Sequence, residues 1–328
     1  MYTRAYTEDS NSGVFIKIAL LVVVAFQVIT CFLIPTEFER PGEWVPLFSG
    51  FWDMEIIMTA GINSIVCGVI SIALLLFSVY MLNDRLFSNI SESFTALAFA
   101  ATLIFCNPQA IYFSSIYPAA ICMVWALYCM SISQIFSAFF LLSLAAQFYA
   151  TIIWCIPAIM IVMLIESPEP LKSFLKSIGG SLVPIIYVLS FRYLEFNDVG
   201  VFCSQYMEQV VTIKFAFFSK HLADLFMILC LIIASLHAVI KTLSEQGRNN
   251  IAEAKGLRLV IISAIFAAIL YFLFAGSFNG PISIIVAPLL AVLLSYFYTN
   301  GHQLPSVRIE MILVMCAFVV ARLGFFVS

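Results

Sequence analysis

Residues 56–81 read IIMTAGINSIVCGVISIALLLFSVYM, twenty-six positions without one charged side chain. As a helix this stretch would reach ~39 Å at 1.5 Å per residue, longer than the ~30 Å hydrocarbon core of a bilayer. A helix that is apolar all round is either buried in a large core or surrounded by lipid. Working outward, about ten stretches of this kind run from Val14 to Val327. The composition decides between the two settings: 63% of residues are hydrophobic, only 10% are charged, and 32 of the 328 are Phe. A water-soluble domain needs far more charge to cover its surface. The sequence therefore predicts an all-α protein, a polytopic transmembrane helical bundle.

A spanning helix takes ~20 residues, so the apolar stretches and their connections account for the whole chain. A single integral membrane domain over residues 1–328 is expected. A net charge of −3 and the absence of a Lys/Arg cluster exclude nucleic acid as a partner. Eight of nine cysteines lie within or at the end of apolar segments, where Cys acts as a small buried hydrophobe. Only Cys203 falls in a connection, and no CxxC pair occurs, so no disulfide framework, metal site or cofactor is expected. The first apolar run, Val14 to Ile34, is longer than a signal-peptide core and ends at Pro35 without a small-x-small cleavage site. It reads as the first membrane helix.

Helices are expected near 14–34, 56–81, 93–106, 111–130, 134–148, 150–165, 178–194, 221–241, 258–276, 281–298 and 309–327, about eleven in all with a range of 9–11. The third, fifth and sixth are short, and Asn107-Pro108 and Pro157 lie at or near their ends. They read as tilted or half-membrane elements, which lipid tolerates only where neighbours bury them. Cationic residues set the orientation. With the N-terminus inside, ten of the 15 Lys and Arg face inward, and Arg40, Arg192, Lys214, Lys220 and Arg322 face outward. The expectation is a cytoplasmic N-terminus and a periplasmic C-terminus in a bacterial inner membrane. Trp44 and Trp52 in the first connection suit the headgroup level, and the spacing of Val201, Phe202, Tyr206, Val210 and Val211 reads as an amphipathic helix on the membrane surface.

Polar residues that might carry chemistry are few. Glu37, Glu39 and Glu43 cluster in the first outer connection beside Arg40. Such carboxylates either act as general base toward a lipid-linked substrate or simply line a solvated loop poor in Lys and Arg. Lys220 and His221 open the eighth helix, with Asp224 one turn on. Lys220 and Asp224 read as a local i,i+4 ion pair, while Lys220, His221 and Arg192 are candidates for contacting a lipid phosphate. His237 and Arg322 lie close to expected helix ends, where snorkelling to the interface accounts for them. A proton- or ion-coupled transporter needs a carboxylate or His near the midplane, and the sequence shows none clearly. No Walker, nucleophile-elbow, HExxH or GxGxxG motif is present.

Two blocks carry a resemblance. One runs from Asn107-Pro108 through Tyr117-Pro118-Ala119-Ala120 to the run Ser137–Tyr149, then Pro157, Glu169-Pro170 and Pro184 to Tyr187. The other runs from Arg248 and Arg258 through Pro288-Leu289-Leu290 and Ser295-Tyr296-Phe297 to Glu310. Together they resemble a family of polytopic inner-membrane proteins from the Bacteroidota, defined as a domain of unknown function. The acidic first loop and the short paired helices are more distantly similar to the membrane part of GT-C glycosyltransferases. That likeness implies an acidic loop residue as base or metal ligand and a polyprenyl-phosphate sugar as donor. Here Glu37-Phe38-Glu39 stands where that family has an Asp-Glu pair, and no large outer domain follows. With no sharp catalytic constellation, the leading expectation is a non-enzymatic envelope-biogenesis or assembly component, whose partners are the bilayer and a lipid-linked glycan or other envelope proteins. A GT-C-like glycosyltransferase and a transporter or lipid flippase are the alternatives.

Overall fold

The computed structural model of the protein describes residues 17–31, 62–87, 90–213, 222–245, 251–274, 283–301 and 305–327. Twelve α-helices run through them, with no strand among the described residues. In chain order these are α1 (Lys17–Cys31), α2 (Ile62–Phe87), α3 (Ile90–Ile104), α4 (Ile116–Ser131), α5 (Ile135–Phe148) and α6 (Cys155–Glu166). They continue as α7 (Pro170–Phe191), α8 (Val199–Val211), α9 (Leu222–Glu245), α10 (Ile251–Phe274), α11 (Ser283–Gly301) and α12 (Pro305–Val327). The all-α class is as the apolar patterning predicts. Eleven helices overlap the eleven expected segments, and α8 lies where the amphipathic spacing placed a surface helix.

An eleven-span bundle is more than these helices support. Four stretches are long and apolar enough to cross a bilayer: Asn63–Phe87, Pro170–Phe196, Ala223–Ser244 and Gly256–Phe274. By contrast α3, α5 and α6 have 15, 14 and 12 residues. At 1.5 Å per residue they reach only ~18–22 Å. Helix α12 is long enough at 23 residues but carries Arg308, Glu310 and Arg322.

Helix boundaries follow local chemistry. After α3, Pro108–Ile111 forms a single 3₁₀ turn before α4, and the Tyr117 hydroxyl donates to the Ala110 carbonyl, fixing that turn. Another 3₁₀ turn, Ala150–Trp154, separates α5 from α6, so the expected helix at 150–165 is two elements. Pro157 sits in the first turn of α6, where a missing N–H costs nothing. Helix α7 starts at Pro170 rather than near 178. Proline at the first position is preorganised for a helix, and Lys172 and Lys176 are exposed while Ser173 and Ser177 turn inward. What reads as a charged connection is the amphipathic start of a helix.

One continuous apolar core includes buried residues from α1 to α6 and from α9 to α12, with α7 and α8 outside it. Lipid supplies no hydrophobic drive between helices, so close packing and interhelical hydrogen bonds must hold them. Both occur. Helices α5 and α7 approach so closely that a Cβ on Gly180 would lie 2.4 Å from the Phe136 carbonyl oxygen. Beside it the Ser143 hydroxyl donates to the Ser181 carbonyl at 2.7 Å. Buried Asn83 of α2 joins three helices, donating to Ser93 Oγ of α3 at 3.2 Å and accepting from Ser295 Oγ of α11 at 3.3 Å. Helix α7 leaves Leu171, Leu175, Leu182, Val183, Ile186 and Tyr187 exposed along its length. A stripe of this kind marks a membrane or partner surface.

Candidate functional site

Of the residues singled out in the sequence, Glu37, Glu39, Glu43, Lys220 and His221 lie outside the described residues. Arg192 lies at the end of α7, in a π-turn (Arg192–Phe196) closed by Asn197 in the left-handed region at φ 50°. It is buried, pairs with Asp198 Oδ2 at 3.2 Å, and stacks its guanidinium over the rings of Phe196 and Phe202. Those contacts clamp the start of α8. Further along, Trp154 Nε1 donates to the Val210 carbonyl at 3.1 Å and the Tyr206 hydroxyl to the Ala146 carbonyl at 3.2 Å. Arg192 thus serves a joint between elements. Cys203, expected in a connection, is exposed on α8.

The groups that the fold draws together lie elsewhere, along α9 and α12. Arg322 does not snorkel: its residue is only 2% exposed, and its Nε and Nη2 donate to Thr30 Oγ1 at 2.8 Å and Cys31 Sγ at 2.7 Å of α1. On the same helix α1, buried Gln27 donates through Nε2 to Cys106 Sγ at 3.4 Å, and Cys106 Sγ meets Met227 Sδ of α9 at 3.7 Å. Asp224, read as the partner of an exposed Lys220, is itself buried one turn before Met227. Four helices therefore converge on one buried polar node: α1, α9, α12 and the end of α3.

A second node joins the other ends of α9 and α12. His237 Nδ1 lies 2.6 Å from Glu310 Oε2, with side-chain exposures of 41% and 16%. Tyr298 of α11 donates to Glu310 Oε1 at 3.4 Å, and the His237 ring packs edge-on against Phe297 with centroids 4.8 Å apart. Lys241, one turn on, holds its ammonium 5.4 Å from the centroid of the same ring. His237 is thus held by Glu310 and the Phe297 ring rather than reaching alone for the interface. The sequence held a signal for both nodes. Asp224 and His237 are thirteen residues apart on one helix, Glu310 and Arg322 twelve apart on the other. Acid and base at matched spacing on two helices are what an antiparallel pair needs, and α9 and α12 pack against each other.

Between the nodes, α9 and α10 stand apart although they are consecutive in the chain. Both pack on α11, yet they make at most marginal contact with each other. The gap is a partly open cleft of about 400 Å³. Its walls are aliphatic: Leu231, Ile232 and Leu236 of α9 face Ile261, Ile265 and Ile269 of α10. Polar lining gathers at one end, where Cys106, Asn107, Tyr271 and Ser283 meet. Ser283 belongs there because α3 and α11 run antiparallel: Ser295 shares Asn83 with Ser93 at the far end of both helices. Part-way along, the Ser235 hydroxyl is buried without a hydrogen-bond partner.

Chemically this is a slot for an apolar chain. Among the described residues no three His, Cys, Asp or Glu side chains gather into a metal-binding group. Comparison with protein-family models, with curated proteins and with solved structures finds no match to this chain.

Proposed function

We propose that this chain is a polytopic inner-membrane protein that holds the hydrocarbon chain of a membrane amphiphile in the cleft between α9 and α10. It acts in envelope lipid handling without catalysing a reaction. The cleft carries this reading. Its two walls, Ala223–Ser244 and Gly256–Phe274, are apolar enough to cross a bilayer, so its open side faces acyl chains. A lined volume of about 400 Å³ falls in the ~300–1,000 Å³ range of ligand sites. The charge asymmetry of the connections supports a cytoplasmic N-terminus and a periplasmic C-terminus, with α8 on the outer surface. The polar end of the cleft then lies toward the outer leaflet. The ionisable groups of α9 and α12, buried at Asp224 and Arg322 and partly exposed at His237 and Glu310, favour a transporter or flippase as the second reading, because intramembrane ionisable groups mark substrate and ion pathways.

The test is retention of lipid. Purified protein carried into native mass spectrometry should keep bound lipid, and Ile232→Trp with Ile265→Trp, which fill the cleft from both walls, should lose it at unchanged thermal stability. Equal retention by parent and filled variant would refute the cleft as the site. Orientation is checked separately: Gln209→Cys should react with an impermeant thiol reagent in whole cells, and Asn249→Cys should not.

A further inference from the structure

We infer that His237 and Glu310 form a proton-binding site whose occupancy sets how tightly α9 is tied to α12. The site lies where α9 meets α12, whatever fills the cleft, so its failure would leave the lipid reading standing. Geometry is the first support. His237 Nδ1 and Glu310 Oε2 are 2.6 Å apart, with one hydrogen between them. A proton added at the other ring nitrogen makes the ring a cation in direct contact with a carboxylate, which adds a Coulomb attraction at the shortest range available. An imidazole ordinarily changes charge between about pH 5 and 8, and a carboxyl group well below that. With side-chain exposures of 41% and 16%, the pair is reached from outside the bundle.

Neighbouring groups are the second support. Tyr298 of α11 donates to the other carboxylate oxygen and holds Glu310 in place, with Cys230 of α9 near it. The remaining charged groups at this end, among the described residues, are cations. Lys241 of α9 is engaged over the Phe297 ring. Arg308 of α12 is exposed, as is Arg258 of α10, which the five residues linking α9 to α10 bring level with His237. These cations oppose a further positive charge, but exposed charges are screened, and the carboxylate touching the ring outweighs them. The third support is mechanical. Helix α9 packs against α11 and α12, and its other side is a wall of the cleft. Leu236 and Val239, beside His237 on α9, belong to that wall, so a looser tie to α12 is felt at the cleft.

Distance measurements between two spin labels test this. The labels go at Leu243→Cys of α9 and Ile309→Cys of α12, both exposed. The protein carries Ser in place of its exposed Cys203 and Cys316 and is reconstituted in lipid nanodiscs. As pH rises from about 5 to about 8, the interval in which an imidazole ordinarily changes charge, the longer-distance population should grow. The expected increase is roughly threefold, the scale of one polar contact between membrane helices. His237→Gln keeps a hydrogen-bond donor for Glu310 without a charge, and should hold that population at its alkaline level at every pH. Glu310→Gln should do the same. Nitrogen NMR of histidine-labelled protein gives a second reading: the His237 ring, identified by its loss in His237→Gln, should titrate over the same interval. A ring that keeps one charge throughout would overturn the site. Titration with no change in distance would overturn the tie to α12, and a pH response surviving His237→Gln would overturn the assignment to this pair.

Discussion

Between α5 and α7 the backbones approach until Gly180 has no room for a Cβ, whereas α9 and α10 stand apart around a cleft of about 400 Å³. The α5–α7 seam contains no charged side chain in its contact; a glycine and a serine-to-carbonyl bond close it. Helix α9 instead lines the cleft with Leu, Ile, Met and Val, and it is held from behind by ionisable groups shared with α12. The difference is what a membrane setting would produce. With no hydrophobic drive between helices, small residues let backbones touch and bulky branched ones leave gaps that lipid can fill. The α5–α7 contact is closed, while α9 and α10 leave a gap between them.

The sharpest way to break the comparison is at Gly180. Gly180→Ala would push a methyl group into the Phe136 carbonyl and force α5 from α7, at a cost of ~3 kcal/mol or more, the upper end for overpacking. Gly200 in α8 is the control, since nothing lies within 4 Å of its Cβ; Gly200→Ala should be neutral or gain up to ~1 kcal/mol. Thermal unfolding in detergent reads both. Equal effects at the two glycines would mean that α5 and α7 are not in close contact.

Next in size is Arg322→Met, which removes the guanidinium that ties α12 to α1. Hydrogen bonds to a charged donor are worth ~1.5–3 kcal/mol each, and the replacement keeps the apolar volume, so a loss of ~2–3 kcal/mol is expected. Its signature is local: Cys31, buried in the parent, should become reactive to a membrane-permeant maleimide. Smaller again is Glu310→Gln. The His237–Glu310 pair is partly exposed, and polar contacts between membrane helices average ~0.6 kcal/mol. A loss of ~0.5–1 kcal/mol is therefore expected, with Gly180-dependent packing untouched. If Glu310→Gln destabilised as much as Gly180→Ala, the inner node would be part of the frame and the contrast would fail.

Much of the frame was legible in the sequence because lipid imposes one rule on every span: apolar residues over a fixed length. That rule found the helices, though not which of them are long enough to cross. It also misplaced the start of α7, since Lys172 and Lys176 look like a loop until Ser173 and Ser177 are seen to face inward. The site was harder to read. Asp224, His237, Glu310 and Arg322 were visible, but a single ionisable residue near a helix end looks the same whether it snorkels or pairs across the bundle. Only three-dimensional pairing separates the two, and the matched spacing on α9 and α12 was the sole linear trace. The cleft left no trace, because Ile232 and Ile265 read alike facing lipid, a neighbour or a cavity.

The measurement closest to the central claim is collision accessibility of spin labels at Ile232→Cys and Ile265→Cys, in protein whose exposed Cys203 and Cys316 are replaced by Ser, reconstituted in lipid bilayers. A lipid-filled cleft predicts frequent collisions with oxygen and rare collisions with a water-soluble nickel complex at both positions. Frequent nickel collisions would place water between α9 and α10 and contradict the account.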